Sequence, residues 1–383
     1  MKLSKHKLGE LIEVTRGASL SGQFYAEEGE LIRLTLGNFN MNGGGFKENT
    51  SKTDLYYTGT VKDEFILNKG DIITPLTEQS LGLLGTTARI PESGKYIQSQ
   101  DVALVKCKEG LLDPNFCYYL ISSSVVRQQL SAGAQQTKIR HTSPDKIKDC
   151  TVWIPELEVQ KRIGHILSDI DEKIALNRKI NDNLEEQLRL ITSRYIFGSP
   201  YLKKKRIGEI ATIKAGGDCP ITFSKTRTQE CNIPIFSNGT EDRGLYGFTN
   251  KANIEGHSIT VAARGTIGYC ERRLMPFVPI IRLLAITPKE DGAYIYLHQV
   301  IRGMKFKKNG SVQQQLTVPE ISFIEIPYPH SSVLLEYNNV ANPIVEMIER
   351  NINENEILTK QRDELLPLLM NGQASVNYHL SDD

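Results

Sequence analysis

Amide and basic side chains gather in two pairs of Gly-containing loops, and these residue types can read the edges of DNA bases. The middle loops span 77–89 and 262–269, and the late loops, which precede a final predicted strand, span 133–140 and 307–315. Asn and Gln can contact adenine through two hydrogen bonds, Arg can contact guanine in the same way, and Lys, Ser and Thr reach phosphates. Such loops are common on protein surfaces, but their repetition at matching places predicts DNA binding.

The chain contains two copies of one repeat, described below. The candidate DNA-contacting residues are polar or basic side chains of these loops and of one further turn in each copy. In the first copy they are Asn38, Asn40, Gln79, Ser80, Arg89, Lys138 and Arg140. In the second copy they are Ser237, Asn238, Thr240, Arg243, Arg264, Lys308, Gln313 and Gln314. A side chain that reads one base through two hydrogen bonds should contribute about 1–3 kcal/mol of discrimination at that position, whereas a phosphate-binding Lys should affect all DNA sequences alike.

No arrangement of residues predicts catalysis or a metal site. The sequence has no GxxxxGK[ST], HExxH or GxSxG motif. The segment from Asn232 to Phe236 lacks the second Pro of an amino-methyltransferase motif. The seven His are scattered, and the six Cys form no CxxC pair, so reduced cysteines and no bound metal are expected.

Composition sets the broad class of the protein. The chain of 383 residues is 39% apolar and 24% charged, which is typical of a globular protein with two or three domains. With a net charge of +1, any binding to nucleic acid should depend on local basic patches such as Lys203–Arg206, for which a solvated linker is an equally good interpretation. No apolar run approaches the ~20 residues that span a bilayer, and the first residues lack a signal peptide. A cytoplasmic location without a membrane partner is therefore predicted.

An internal repeat positions both pairs of loops. The segment that begins at Lys7 recurs 199 residues later at Arg206, and the segment that ends at Pro155 recurs 174 residues later at Pro329. Short β-branched or aromatic runs, Gly- and Pro-containing turns and a few amphipathic helices fill each copy, which predicts two similar β-rich domains of the α+β class. The predicted layout is a domain at 1–155, a helix at 156–198, a domain at 199–329, a helix at 330–373 and a tail at 374–383.

The two predicted helices carry matching heptad seams, which predicts that they pair as an antiparallel coiled coil. The residues predicted to pair are Ile170, Ile174, Asn177, Asn181, Leu184, Ile344, Ile348, Asn351, Asn355 and Leu358. An Asn in such a seam fixes register, because an unpaired amide in an apolar interface is costly. Pro343 interrupts the second pattern, so the helix could kink there or begin afresh at this residue, which would leave a continuous rod of about 36 Å at ~1.5 Å per residue.

Several motifs resemble the specificity (S) subunit of type I restriction-modification systems. They are the two starts Lys7-Leu-Gly-Glu10 and Arg206-Ile-Gly-Glu209, the strand lead-in from Leu67 to Ile73, the turn from Gly265 to Gly268, and Trp153-Ile-Pro-Glu-Leu-Glu-Val-Gln160 at the helix start. The resemblance covers almost the whole chain. The second copy departs from it, because the segment from Pro329 to Val333 lacks the usual Glu-Gln.

This resemblance implies that each domain is a target recognition domain for one half of a split, asymmetric site in double-stranded DNA. The helices would set the gap between the halves and dock two methyltransferase (M) subunits, which would hold S-adenosylmethionine and methylate adenine. A restriction (R) subunit would add ATP- and Mg-dependent translocation and cleavage, so this chain would be non-catalytic and hold no cofactor. Two alternatives stay open: the recognition part of a DNA methyltransferase or nuclease, and a coiled-coil interaction scaffold that does not bind DNA.

Overall fold

The computed structural model divides the chain into two compact units. Unit 1 comprises Met1–Asn177 and Asn353–Asp383, and unit 2 comprises Arg178–Ile352. The structure describes residues 2–40, 44–79, 81–133, 140–197, 202–290, 292–306 and 315–374, with the backbone alone at 196 and 197. Each unit therefore contains one copy of the repeat together with parts of two long helices.

The described residues of unit 1 contain the first twelve strands and four short α-helices. The strands are β1 (Ser4–Lys7), β2 (Ile12–Arg16), β3 (Tyr25–Ala26), β4 (Ile32–Arg33), β5 (Tyr56–Tyr57), β6 (Ile72–Pro75), β7 (Thr77–Glu78), β8 (Ala88–Arg89), β9 (Tyr96–Ile97), β10 (Val102–Cys107), β11 (Arg140–His141) and β12 (Thr151–Ile154). The helices are α1 (Leu8–Leu11), α2 (Pro114–Ser122), α3 (Ser124–Gly133) and α4 (Pro144–Lys148). The long helix α5 (Leu157–Thr192) begins in this unit and continues into unit 2, where a π-helical turn (Ser193–Phe197) follows it.

Unit 2 repeats much of this series, with fewer strands and short helices among its described residues. Its strands are β13 (Lys203–Arg206), β14 (Ala211–Ala215), β15 (Ile233–Phe236), β16 (Leu245–Thr249), β17 (Ser258–Val261), β18 (Cys270–Arg273), β19 (Val278–Pro279), β20 (Leu284–Pro288) and β21 (Glu325–Tyr328). Its short helices are α6 (Ile207–Ile210), α7 (Ala293–Arg302) and α8 (Val318–Ser322). The second long helix, α9 (Ser331–Met370), begins here and ends in unit 1.

The sheets of the two units have the same order. Four strands lie in the order β2-β10-β6-β8 in unit 1 and β14-β20-β17-β18 in unit 2. In both units the first strand pairs with the last, as β1–β12 and β13–β21, and a small accessory sheet contains one parallel pair, β4–β9 or β15–β19. The prediction of two similar domains that combine strands and helices is confirmed.

The central strand of the larger sheet explains how each copy builds a core. In β10, Val102 and Leu104 pack on one face while Ala103 and Val105 pack on the other, and all four are buried. A strand that is buried on both faces is a continuous apolar run rather than an alternating one. The Ala103 side packs against α2 and against the first turns of α5, so the sheet and the long helix share one core.

The start of α5 is fixed to α2 by two residues. Gln160 is 2% exposed, and its side chain accepts a hydrogen bond from the Asp113 amide (3.0 Å) and donates to the Pro155 carbonyl (2.9 Å). At Gly164 a Cβ atom would lie 2.7 Å from the Phe116 nitrogen, so only glycine permits this approach. The Gln of the family-like motif thus holds the helix in place and does not face solvent.

Helix α9 is uninterrupted, so the alternative in which a new helix begins at Pro343 is wrong. An interior Pro removes one backbone hydrogen bond. Its neighbours Ala341 and Val345 are 0% and 1% exposed in the core of unit 2, and their burial holds the helix together across the Pro.

Within each unit, the parts of α5 and α9 that belong to it run antiparallel and pair through amides. In unit 1 Asn177 donates to the Asn355 side chain (3.0 Å), and in unit 2 Asn351 donates to the Asn181 side chain (2.8 Å). The ten residues predicted to pair are all buried or half-buried. The register that the Asn residues impose is therefore the one in which each amide finds another amide.

The basic segment Lys203–Arg206 is a strand and not a linker. As β13 it pairs antiparallel with β21, with Lys203 opposite Tyr328 and Arg206 opposite Glu325. Its β1 counterpart pairs with β12 in the same way. No helix within the described residues is long and apolar enough to cross a membrane.

Candidate nucleic-acid interface

In unit 1 the middle loop and the late loop meet around one buried carboxylate. Strand β7 pairs with β11, and Arg140 forms an ion pair with Glu78 at 3.1 Å. Glu78 is 2% exposed, and its other oxygen accepts the backbone amides of Gly82, Leu83 and Leu84 at 2.9–3.1 Å. This carboxylate folds the middle loop around itself, which leaves Gln79 exposed at the beginning of a fixed turn.

The corresponding loops of unit 2 are joined at the same place. The amide of Leu316 donates to the Ala263 carbonyl at 2.9 Å, as the amide of Thr142 donates to the Leu76 carbonyl at 2.8 Å in unit 1. The Arg264 guanidinium then donates to the Gln315 side chain at 2.7 Å, on the exposed side of this junction. Both units thus place the described end of the late loop beside the middle loop, but with different polar side chains.

A third loop of unit 2, the hairpin loop at 237–244, joins this surface through Asn238. Its amide group donates to the Ile281 carbonyl (2.6 Å) and accepts from the Ala263 amide (2.8 Å), while its own carbonyl accepts from Thr266 (3.2 Å). Asn238 therefore connects three loops through hydrogen bonds, whereas the sequence predicts that it contacts a base. Thr240 in the same loop is exposed.

The turn that contains Ile281 was not found by sequence reasoning. Ile281 and Arg282 have φ values of 52° and 61°, and both are exposed. Consecutive non-glycine residues in this left-handed region are uncommon and are typically held by their surroundings at functional sites. No pattern in the sequence signals the turn, because neither residue is Gly, Asn or Asp.

Two candidates of unit 1 have partners inside the domain. Asn38 is 2% exposed, accepts from the Thr35 amide (2.9 Å) and donates to the Lys47 carbonyl (3.2 Å), so its side chain is engaged inside the domain. Arg89 is half-buried, donates to the Asn115 side chain at 2.7 Å and lies over the Tyr118 ring. A polar side chain that caps a turn is difficult to tell from a surface reader in sequence alone.

The other candidates divide into two groups. Asn40 and Ser237 are half-buried. The backbone amide of Asn40 donates to the Gly45 carbonyl, and that of Ser237 donates to the Gly244 carbonyl. Five candidates lie outside the described residues, namely Ser80, Lys138, Lys308, Gln313 and Gln314.

Arg243 is placed in an ion-pair cluster rather than on the surface of the hairpin loop. Its guanidinium donates to Glu271 on β18 (2.9 Å) and to both oxygens of Glu349 on α9 (3.1 Å each). Burial lowers the pKa of Arg243, but the two carboxylates more than offset it and raise the pKa above its usual value. The structure therefore places the Arg243 guanidinium in contacts within unit 2.

The same cluster continues on α5. Arg272 of β18 is 4% exposed and donates to Glu185, which also accepts from Arg302 at 2.6 Å. A third contact joins Arg272 to the Nδ1 of His298 at 3.1 Å. Burial lowers the pKa of His298 well below its usual value and Arg272 adds to the effect, so the imidazole is neutral and its Nδ1 accepts.

Aromatic side chains form a further exposed feature that sequence reasoning missed. In unit 2 the Lys225 ammonium lies 4.0 Å from the centre of the Tyr246 ring and 5.5 Å from that of Phe223. Phe223 lies 199 residues after Phe24, and the two are 36% and 38% exposed. Phe24 precedes Tyr25 of strand β3 in the accessory sheet, and Phe223 precedes Ser224, which forms an isolated bridge to Phe248 of β16.

Comparisons with known proteins agree on one family. The model of the type I restriction modification DNA specificity domain matches twice, at residues 2–186 and 202–366. A putative type I specificity subunit of Mycoplasma pneumoniae is 27% identical over 300 residues, which cover 73% of this chain and 88% of that protein. A second one from the same organism is 23% identical over 347 residues, covering 86% of this chain and 85% of the other.

A solved structure has the same fold. The crystal structure of the type I restriction-modification system S subunit from M. genitalium superimposes with a TM-score of 0.61 at 17% identity, over 97% of this chain and 96% of that one. At this level of identity the likeness concerns the fold alone.

Proposed function

Because the chain belongs to the family of type I restriction-modification DNA specificity subunits, we propose that it selects a bipartite, asymmetric DNA site and reads one half of it with each unit. Specificity subunits are non-catalytic parts of type I restriction-modification complexes. In this proposal the methyl transfer and the cleavage belong to partner subunits, which would hold S-adenosylmethionine, ATP and Mg.

The observation that carries the proposal is the shared junction of the middle and late loops. In each unit the same backbone hydrogen bond, from Thr142 to Leu76 or from Leu316 to Ala263, joins the chain just after the late loop to the start of the middle-loop region on the same sheet framework. The side chains at the junction differ, because unit 1 has Gln79 beside Glu78 and Arg140 while unit 2 has Arg264 beside Gln315. Two domains that recognise different half-sites need the same backbone framework and different polar side chains on it. This is because base edges are distinguished by their patterns of donors and acceptors.

The long helices are proposed to set the gap between the half-sites. The 36 residues of α5 measure about 54 Å at ~1.5 Å per residue, which exceeds the ~34 Å of one DNA turn. A folded helix has a constant rise per residue, so its length is set by the number of residues. The gap in the target should therefore have a fixed length.

The same helices are proposed to dock the M subunits. Several apolar side chains of α5 and α9 are more than 45% exposed, namely Leu176, Leu190, Leu335, Met347 and Ile357. Exposed apolar side chains along one pair of helices suit a partner that buries them. Two M subunits, one for each unit, are the proposed partners, and restriction subunits would join through them.

The test is to co-express the chain with its own M subunits and to select DNA from a library in which two short blocks and the gap between them are randomised. We expect one enriched bipartite sequence with different halves, one gap length, and affinity that falls steeply with salt. An enriched sequence with only one contiguous block, or no enrichment with the M subunits present, would refute the proposal. The chain incubated with labelled S-adenosylmethionine and DNA in the absence of M subunits is expected to transfer no methyl groups.

A further inference from the structure

We propose that Arg243 and Glu349 form a positioning pair that holds the hairpin loop of unit 2 against helix α9 and thereby sets the specificity for the second half-site. This inference rests on the proposed function, because it assumes that unit 2 reads DNA. In this inference the role of Arg243 is indirect. Arg243 orients the residues that contact the DNA but does not contact the DNA itself.

The pair has the geometry of a fixed attachment. The two terminal nitrogens of Arg243 each lie 3.1 Å from a different oxygen of Glu349, and its Nε lies 2.9 Å from Glu271. All three nitrogens of the guanidinium are thus used, and the Arg243 and Glu349 side chains are only 28% and 16% exposed. A planar guanidinium held by two oxygens of one carboxylate fixes orientation as well as distance, which a single Lys contact would not do.

The backbone beside the pair is strained, and the pair accounts for how the strain persists. Asp242 and Arg243 have φ values of 45° and 56°, in the left-handed region that non-glycine residues rarely adopt. Such residues remain there only where their surroundings determine the conformation. Here the Arg243 carbonyl also accepts from Arg273 (2.5 Å), and the loop is closed by the Ser237 amide donating to the Gly244 carbonyl (2.8 Å).

The hairpin loop is hydrogen-bonded to the other loops of this surface, so its position affects theirs. Asn238 lies in this loop and bonds to Ala263 in the middle loop and to Ile281 in the next turn. A shift of the hairpin loop away from α9 would therefore move the framework that presents Thr240 and Arg264. One ion pair on the helix can influence three loops in this way.

Unit 1 uses its helix charges differently. There Arg362 of α9 pairs with Asp171 of α5 (2.8 Å), and Asp171 accepts from Tyr119 of α2 (2.7 Å). These contacts join the two helices and a short helix to one another and involve no candidate readout residue. The effect of breaking the helix contact should therefore be confined to the second half-site.

The experiment measures the complex with its M subunits, using Glu349→Gln, Arg243→Met and the double variant. Glu346→Gln, an exposed acidic residue one turn earlier on α9, is the matched control. Binding is scored against DNA libraries with either half-site randomised. Both single variants should lower the preference for the cognate second half-site by about tenfold, within the range of one lost bidentate base contact. The double variant should be no worse than either single one, and the preference for the first half-site should not change.

The outcomes separate this inference from its competitors. If Arg243 read a base itself, Arg243→Met would lower the preference while Glu349→Gln would not, and the inference would be wrong. An equal loss of affinity for cognate and scrambled second half-sites would also overturn it, since that result means unfolding or a phosphate contact. A wild-type complex that selects no bipartite site refutes the proposed function and this inference with it, whereas a selective wild type with an unaltered Glu349→Gln variant refutes the inference alone.

Discussion

Replacing Glu78 with Gln would test whether one buried carboxylate organises the surface that unit 1 presents. Gln has the same shape, so the change removes the charge without opening a cavity. One oxygen of Glu78 accepts three backbone amides of the middle loop, and the other pairs with Arg140 of β11. The Gln side chain has one NH2 group in place of an oxygen, and that group must face donors on either side.

The magnitude follows from these contacts. A hydrogen bond to a charged acceptor contributes about 1.5–3 kcal/mol and one to a neutral acceptor about 0.5–1.5 kcal/mol, so three weakened bonds lose roughly 3 kcal/mol. Removing one partner of a buried ion pair costs about 3–5 kcal/mol in total. Arg140 is 19% exposed and keeps some solvation, so this second loss is smaller than that. We expect the free energy of opening the middle loop to fall by about 3–5 kcal/mol.

Hydrogen exchange of the Gly82, Leu83 and Leu84 amides measures this quantity directly. These amides should exchange about 100-fold faster or more in the variant, since every 1.4 kcal/mol corresponds to a factor of ten. Glu92→Gln is the control, because Glu92 forms only an exposed ion pair with Lys95 and should leave exchange unchanged. Unchanged protection of the three amides in Glu78→Gln would refute the reasoning.

Three further predictions concern the helices, the buried cluster and the interface. Asn351→Leu should lower the free energy of unfolding by about 1–3 kcal/mol because it leaves the Asn181 Oδ1 without its donor, and the Asn181→Leu/Asn351→Leu double variant should recover most of this loss in urea titrations. His298 has a pKa well below its usual value in the folded chain, because of burial and then Arg272, so the unfolded chain binds the extra proton as the pH falls below about 6.5 and stability decreases in that direction. His298→Gln should flatten this slope between about pH 7 and about pH 5 in the same titrations, and an unchanged slope would contradict the assignment. Arg264→Gln should cost about 1–3 kcal/mol of discrimination at one position of the second half-site, measured with single-base variants of the selected DNA, whereas an equal loss for all sequences would mean that Arg264 contacts a phosphate.

Part of the candidate interface was predictable because both copies of the repeat contain a middle loop and a late loop at matching positions. The two copies of the sequence predict the middle and late loops as pairs, and the described end of each late loop contacts the middle loop of its unit. The identity of the residues that remain exposed on them was less predictable. Gln79, Thr240 and Arg264 stay exposed, but Asn38 caps a turn and Asn238 links loops, although all are polar residues of the same kind of segment.

The sequence by itself determined the duplication, the two long helices and the equivalent positions of the Asn pairs in their heptads. These are properties of spacing along the chain, since a heptad repeat or an internal repeat is complete without knowing what folds beside it.

Only the tertiary structure decided what each polar side chain does. Arg243 is separated from Glu349 by 106 positions in the sequence. The Glu349 carboxylate that binds its guanidinium belongs to helix α9, another element of unit 2. Lys203–Arg206 became a strand because β21, more than a hundred residues later, pairs with it. Whether a charged side chain binds DNA or a carboxylate depends on which groups the fold brings within hydrogen-bonding distance, and local sequence does not contain that distance.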